Sequence, residues 1–174
     1  MPTIEELFDG FEWRVTLEEA PLPDGRVKKA ARVHRCDTVH IIAFKKQDTV
    51  LLLREFRPFY GQYVWMLPTG RVNKEKDHAK AAQRELQEET GYYAELMEFF
   101  TSSRHSETFN SANHVYIAHD LSHAPLPQDA DELIEVHELL FEEAIEKVLA
   151  SPVVHTASAY ALLRYDYEKR RVKH

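Results

Sequence analysis

Three glutamates, Glu85, Glu88 and Glu89, stand at spacings i, i+3 and i+4 within Arg84-Glu85-Leu86-Gln87-Glu88-Glu89-Thr90-Gly91. On a helix those spacings share one face. Like charges so placed repel by roughly a few tenths of a kcal/mol per pair, and they crowd the negative end of the helix dipole. A divalent cation turns the repulsion into attraction, because carboxylate oxygens are the donors that Mg²⁺ prefers. A solvated acidic face is the competing reading, and the three charges alone do not exclude it.

The element that must position them is a helix beginning at Asp77. Asp77 is an N-cap type, Ala79, Ala81, Ala82 and Leu86 are good helix formers, and Gly91 stands where a left-handed C-cap belongs. At about 100° per residue, Ala79, Ala82, Leu86 and Thr90 share an apolar arc beside the acidic one. A turn, Leu67-Pro68-Thr69-Gly70, precedes the helix and ends fourteen residues before Arg84.

With that turn in register, the stretch Gly70–Tyr92 resembles the signature of the Nudix hydrolase family. The signature is a Gly, five residues, a Glu, seven residues, then Arg-Glu-aliphatic-any-Glu-Glu-any-Gly-aliphatic. Gly70, Arg84, Glu85, Leu86, Glu88, Glu89 and Gly91 match, and Tyr92 fills the last apolar place. Lys76 stands where the signature has its early acid, with Glu75 beside it. So many fixed positions in one short stretch make a specific motif.

Composition sets the frame. A chain of 174 residues with 44% hydrophobic and 11% aromatic content fits one domain with a real core. No apolar run is long enough to span a membrane, and no charged-then-apolar leader is visible. The single cysteine, Cys36, cannot close an internal disulfide, which fits a reducing cytoplasm. A formal charge of −7 argues against nucleic acid as a partner, since binding it requires a basic face. Ten histidines raise the question of zinc, but no close His/Cys spacing supports a site. His34, His40 and His114 read as satisfied strand residues.

Along the chain, Glu12–Leu17 and Val27–His34 read as a strand pair around the hairpin signal Asp24-Gly25. Thr38–Phe44 and Thr49–Arg54 are nearly continuous apolar runs, hence strands buried on both faces, joined by a turn at Lys46-Gln47-Asp48. Ala94–Phe100 and His114–Ala118 are further strands, separated by a polar loop over Thr101–Ala112. Pro125–Asp131 is a loop, with a last strand starting at Glu132. Phe141–Ala150 and Thr156–Tyr167 have helical spacing, and the basic tail Lys169–His174 is expected in solvent.

The resemblance implies an α/β fold, an α/β/α sandwich with a mixed sheet over residues 36–174. It also implies an N-terminal antiparallel β arm over 1–35 that pairs two copies as a homodimer. It implies hydrolysis of a nucleoside diphosphate linked to another moiety, ADP-ribose or a nucleotide sugar, with Mg²⁺ as cofactor and Mn²⁺ as a substitute. Metal ligands would be Glu85, Glu88, Glu89 and the main-chain carbonyl of Thr69. An acid is common in related enzymes where this chain has Met66, which cannot ligate Mg²⁺, so the number of metals stays open. Arg84 would orient the glutamates, and Glu88 would serve as ligand or base. Glu132 matches best the loop acid that takes a proton from water, with Asp129 and Asp131 as alternates. Arg54, Phe56 and Arg57 would face the substrate, joined by Arg104 and Glu107 from the polar loop. Two other readings stay open: another Nudix substrate class (dinucleoside polyphosphates or oxidised nucleotides), and a catalytically weak domain that only binds a nucleotide.

Overall fold

A computed structural model describes residues 4–171, with side chains as far as residue 168. The basic tail expected in solvent, Lys169–His174, therefore lies outside the described side chains. The chain opens with β1 (Ile4–Gly10), β2 (Trp13–Pro21) and β3 (Val27–His34), an antiparallel meander. The Asp24-Gly25 signal forms the β2–β3 turn, with Gly25 at φ 85° and the Arg26 amide donating to Asp24 at 3.1 Å. The sequence predicts a pair of strands here. The extra strand, β1, ends in Asp9-Gly10, but the bend itself falls on the next two residues, Phe11 and Glu12, both at positive φ.

Next come β4 (Thr38–Lys46), β5 (Thr49–Arg57), β6 (Gln62–Met66) and β7 (Thr69–Arg71), then α1 (His78–Thr90). They are followed by β8 (Tyr92–Arg104), β9 (Phe109–Asn110), β10 (Ala112–His123) and β11 (Ile134–Leu140). Two helices, α2 (Phe141–Leu149) and α3 (Thr156–Tyr165), and a π-helical turn over Asp166–Arg171 complete the described chain. β9 joins β3 in parallel, so the first sheet runs β1-β2-β3-β9. The second runs β11-β5-β4-β10-β8, with β6 on β5 and β7 on β4. It is mixed, since β4 and β10 are parallel and its other pairs antiparallel.

The two apolar runs behave as their composition requires. Along β4, Val39, Ile41 and Ala43 pack under α1, while Ile42 and Phe44 pack under α2 and α3. Along β5, Leu51 faces α1 and Val50 and Leu52 face the other pair of helices. Strand side chains alternate between faces, so a run apolar at every position is covered on both. Each such side chain fully buried contributes about 1.5–3 kcal/mol, and an α/β/α sandwich hides them all.

Two boundaries differ from the sequence reading. β8 runs on to Arg104, paired with Ala112 of β10, so the polar loop over Thr101–Ala112 shrinks to a short connection. A backbone that can pair with a neighbouring strand does so, whatever the polarity of its side chains. β11 starts at Ile134, not at Glu132, because the Glu132 amide turns back to the Asp129 carbonyl at 3.2 Å. Glu132 is thus the last part of a loop.

Candidate active site

α1 begins where its cap places it. Asp77 accepts the amides of Ala79 and Lys80, and Gly91 ends the helix at φ 77° with its N–H on the Gln87 carbonyl at 3.0 Å. The buried face is Ala81, Ala82, Leu86 and Glu89. A glutamate there, only 6% exposed, is the anomaly of the helix. Its carboxylate accepts the Thr69 amide at 2.8 Å. Burial pushes its pKa well above the usual carboxylate range; the Thr69 N–H opposes this, and Glu85, Glu132 and Glu55 add to it.

Glu85 lies against β7. A Cβ added at Gly70 would fall 1.9 Å from the Glu85 carboxyl carbon, so only glycine leaves this carboxylate its place. β4 fixes that approach, since Val39 pairs with Gly70 and the Thr69 hydroxyl donates to the Val39 carbonyl at 2.7 Å. Arg84 reaches Glu85 at 2.8 Å, Glu88 at 2.5 Å and Glu75 at 2.7 Å. Burial works to lower the Arg84 pKa, but the three carboxylates outweigh it and hold the guanidinium charged. Glu75 thus takes the place beside Arg84 that Lys76 could not. Burial raises the Glu85 pKa, Arg84 offsets part of it, and Glu88 and Glu132 add repulsion. Glu88 also meets Lys74 at 3.5 Å.

Two more carboxylates come from outside the helix. Glu55 of β5 is 5% exposed and pairs with Arg57 at 2.9 Å. It alternates with Leu51 and Leu53, which puts it on the α1 side of the sheet. Glu132 reaches the same place because the Phe56 amide binds the Leu133 carbonyl and Ile134 pairs with Glu55. The segment before this loop is tied to the end of α1, where Gln87 donates to the Ala124 carbonyl at 2.7 Å. Burial raises the pKa of both acids; Arg57 opposes it, and for Glu132 the charges of Glu55, Asp129 and Asp131 add to it. Sequence reasoning did not single out Glu55. Its signal was there: one charge on the buried face of an otherwise apolar strand.

The remaining expected residues divide. Arg57 faces this cluster, and its guanidinium also touches the Met66 sulfur at 3.2 Å, so Met66 is fully buried packing. Arg54 and Phe56 point to the opposite face of β5 by strand alternation. Arg54 pairs with Glu135 at 2.8 Å and covers the Tyr63 ring, which Phe56 meets edge-on. Arg104 donates to Asn110 at 3.2 Å, and Glu107 accepts from Lys28 of β3 at 2.7 Å. Those two are therefore joined to the N-terminal sheet. Asp129 and Asp131 lie in the loop that carries Glu132 and act on its charge.

Residues 34–158 match the NUDIX domain model. The chain belongs to the Nudix family. As a Nudix hydrolase it is 29% identical over 161 residues to an ADP-ribose pyrophosphatase of Bacillus subtilis, covering 91% of this chain and 87% of the relative. It is 27% identical over 173 residues to a methanol dehydrogenase activator of Bacillus methanolicus, covering 98% and 93%. A solved structure described as an ADP compounds hydrolase superposes with a TM-score of 0.75 at 23% identity, over 97% of this chain and 96% of that one, and so shares the fold. Nudix hydrolases generally use divalent metals. The donors here suit one: Glu89 is a buried acid whose charge no cation among the described residues offsets, and Gly70 leaves room for the Glu85 carboxylate near it. A set made of carboxylates selects hard cations over soft ones.

Proposed function

We propose that this Nudix hydrolase cleaves a nucleoside diphosphate joined to a second group, ADP-ribose or a nucleotide sugar, into a nucleoside monophosphate and a sugar phosphate. The observation that carries the reading is the convergence of Glu55, Glu85, Glu89 and Glu132, each with its pKa raised by burial, and the last three by neighbouring carboxylates as well. The Bacillus subtilis relative, named an ADP-ribose pyrophosphatase and aligned over 91% of the chain, supports the substrate class. Mg²⁺, or Mn²⁺ in its place, would be the ion, and Glu85, Glu88, Glu89 and the Thr69 carbonyl would hold it. When bound, it neutralises the diphosphate oxygens and acidifies water.

The protein's own groups do the rest. Arg84 fixes Glu85 and Glu88 in place through its two near contacts. Glu132 takes the proton from the attacking water, for which a raised pKa is the useful direction. The water oxygen bonds to one phosphorus as the bond from that phosphorus to the bridging oxygen breaks, and the bridging oxygen leaves on the other phosphate. Arg57 stands on the same face and can bind a phosphate oxygen by its fork. Arg54 and Phe56, on the other face of β5 with Tyr63, would meet only a part of the substrate that extends past the strand end. Arg104 and Glu107 reach the substrate from the side of the N-terminal sheet. Residues 1–35 form the arm that joins a second copy of the chain, with residues 36–174 as the catalytic domain.

The test is a panel of ADP-ribose, nucleotide sugars and dinucleotides incubated with Mg²⁺ and with Mn²⁺, with products separated by chromatography. Release of AMP and ribose phosphate from ADP-ribose supports the reading. Saturable binding without turnover in either metal would overturn it and leave a nucleotide-binding domain.

A further inference from the structure

Asp37, His78 and His114 are distant in sequence, yet three different elements bring them together. Asp37 lies in the connection before β4, His78 opens α1, and His114 stands in β10. One ligand atom from each lies within 4.8 Å of the others. Both imidazoles aim Nε2 at the same oxygen, Asp37 Oδ2, His114 from 3.0 Å and His78 from 3.8 Å. The first distance is a hydrogen bond. The second is too long for one, although the two rings stack with centroids 3.9 Å apart.

We propose that Asp37, His78 and His114 hold a divalent transition-metal ion of the zinc, cobalt or nickel kind, at a centre separate from the glutamates. Zinc–ligand bonds of about 2.0–2.1 Å in a tetrahedron put donor atoms roughly 3.3 Å apart. The two Nε2–Oδ2 distances, 3.0 and 3.8 Å, bracket that value, and the partly exposed His78 ring must turn out of its stack on His114, where the planes stand 18° apart, to bring its Nε2 lone pair onto the ion. The other Asp37 oxygen, Oδ1, accepts the Ala112 amide at 2.7 Å, which orients the carboxylate and leaves Oδ2 for the ion. Burial alone would raise the Asp37 pKa, but that amide and His114 carry it below its ordinary value, so the ligand is ionised. Two imidazoles and one carboxylate favour zinc-like ions, whereas Mg²⁺ takes all-oxygen sites. His78 precedes Glu85 by seven residues, about 10 Å along the helix axis, so one ion cannot serve both centres. The ion would staple the start of α1 to β10 and to the edge of β4.

The test is Co²⁺ titration of the metal-free full chain in excess Mg²⁺, which saturates the glutamates, read by visible absorption and by bound-metal stoichiometry. One equivalent of Co²⁺, displaced by Zn²⁺, is expected. His78→Ala should weaken uptake by about tenfold or more, and His114→Gln likewise, while Glu85→Gln and Glu89→Gln leave it intact. The His78 side chain is 37% exposed, so its variant folds even where the His114 variant fails. No Co²⁺ uptake in excess Mg²⁺, or uptake unchanged by His78→Ala, overturns the proposal.

Discussion

Glu89 is costly to the protein without metal, because a carboxylate only 6% exposed has one amide to answer it. Its folded pKa lies above the ordinary value of 4.5. Between those two values the folded state binds more protons than the unfolded one, so stability falls as pH rises through that window and stays low above it. Saturating Mg²⁺ should restore it. Glu89→Gln removes the charge and keeps a hydrogen-bond acceptor. We expect the metal-free variant to melt several degrees higher than the parent at neutral pH, since about 1 kcal/mol moves the midpoint about 2–4 °C at this size. Its turnover should fall by orders of magnitude. Calorimetry with and without Mg²⁺, beside an activity assay, checks both. Gly70 makes a second residue-level prediction. Gly70→Ala drives the Glu85 carboxylate away from β7, where the added carbon would lie 1.9 Å from it. Displacement on that scale should lower kcat by about a hundredfold, with an unchanged circular dichroism spectrum showing that the fold survives.

At the scale of elements, α1 is a helix held at both ends whose acidic face is stabilised by one arginine. Asp77 satisfies two orphan amides, so Asp77→Ala should cost about 1 kcal/mol, read as a fall in melting temperature. The charge interactions at Glu85 and Glu89, more than two turns away, should keep kcat within about twofold, because one fraying turn does not reach them. β5 shows how much a period of two decides. Glu55 and Arg57 share the face of the carboxylates, while Arg54 and Phe56 turn to the other face and to Tyr63. Residues adjacent in sequence are thereby assigned to different walls. The loop with Glu132 is held on one side by β5 and on the other by the end of α1.

For the whole molecule, the first sheet presents apolar side chains to solvent, with Ile4, Leu7 and Phe8 about half exposed or more and Phe11 at 93%. They suit the proposed pairing of two copies through this sheet. Sedimentation equilibrium should give twice the chain mass, and Leu7→Asp with Phe11→Asp should give the single mass with the fold retained. A wild-type monomer at micromolar concentration would refute the pairing. The sequence by itself determined the central strands, the capped helix and the family, because those depend on local signals: runs of apolar residues, an N-cap, a left-handed glycine, and a motif confined to one stretch. Tertiary structure alone decided the rest. Glu55 meets Glu89 only because α1 packs on its face of β5, Glu132 joins them only because β11 pairs with β5, and Glu75 answers for Lys76 only because Arg84 reaches it. Asp37, His78 and His114 meet only because a helix start, a strand and a connection converge. No spacing in the chain encodes such meetings; they follow from burying both faces of one sheet.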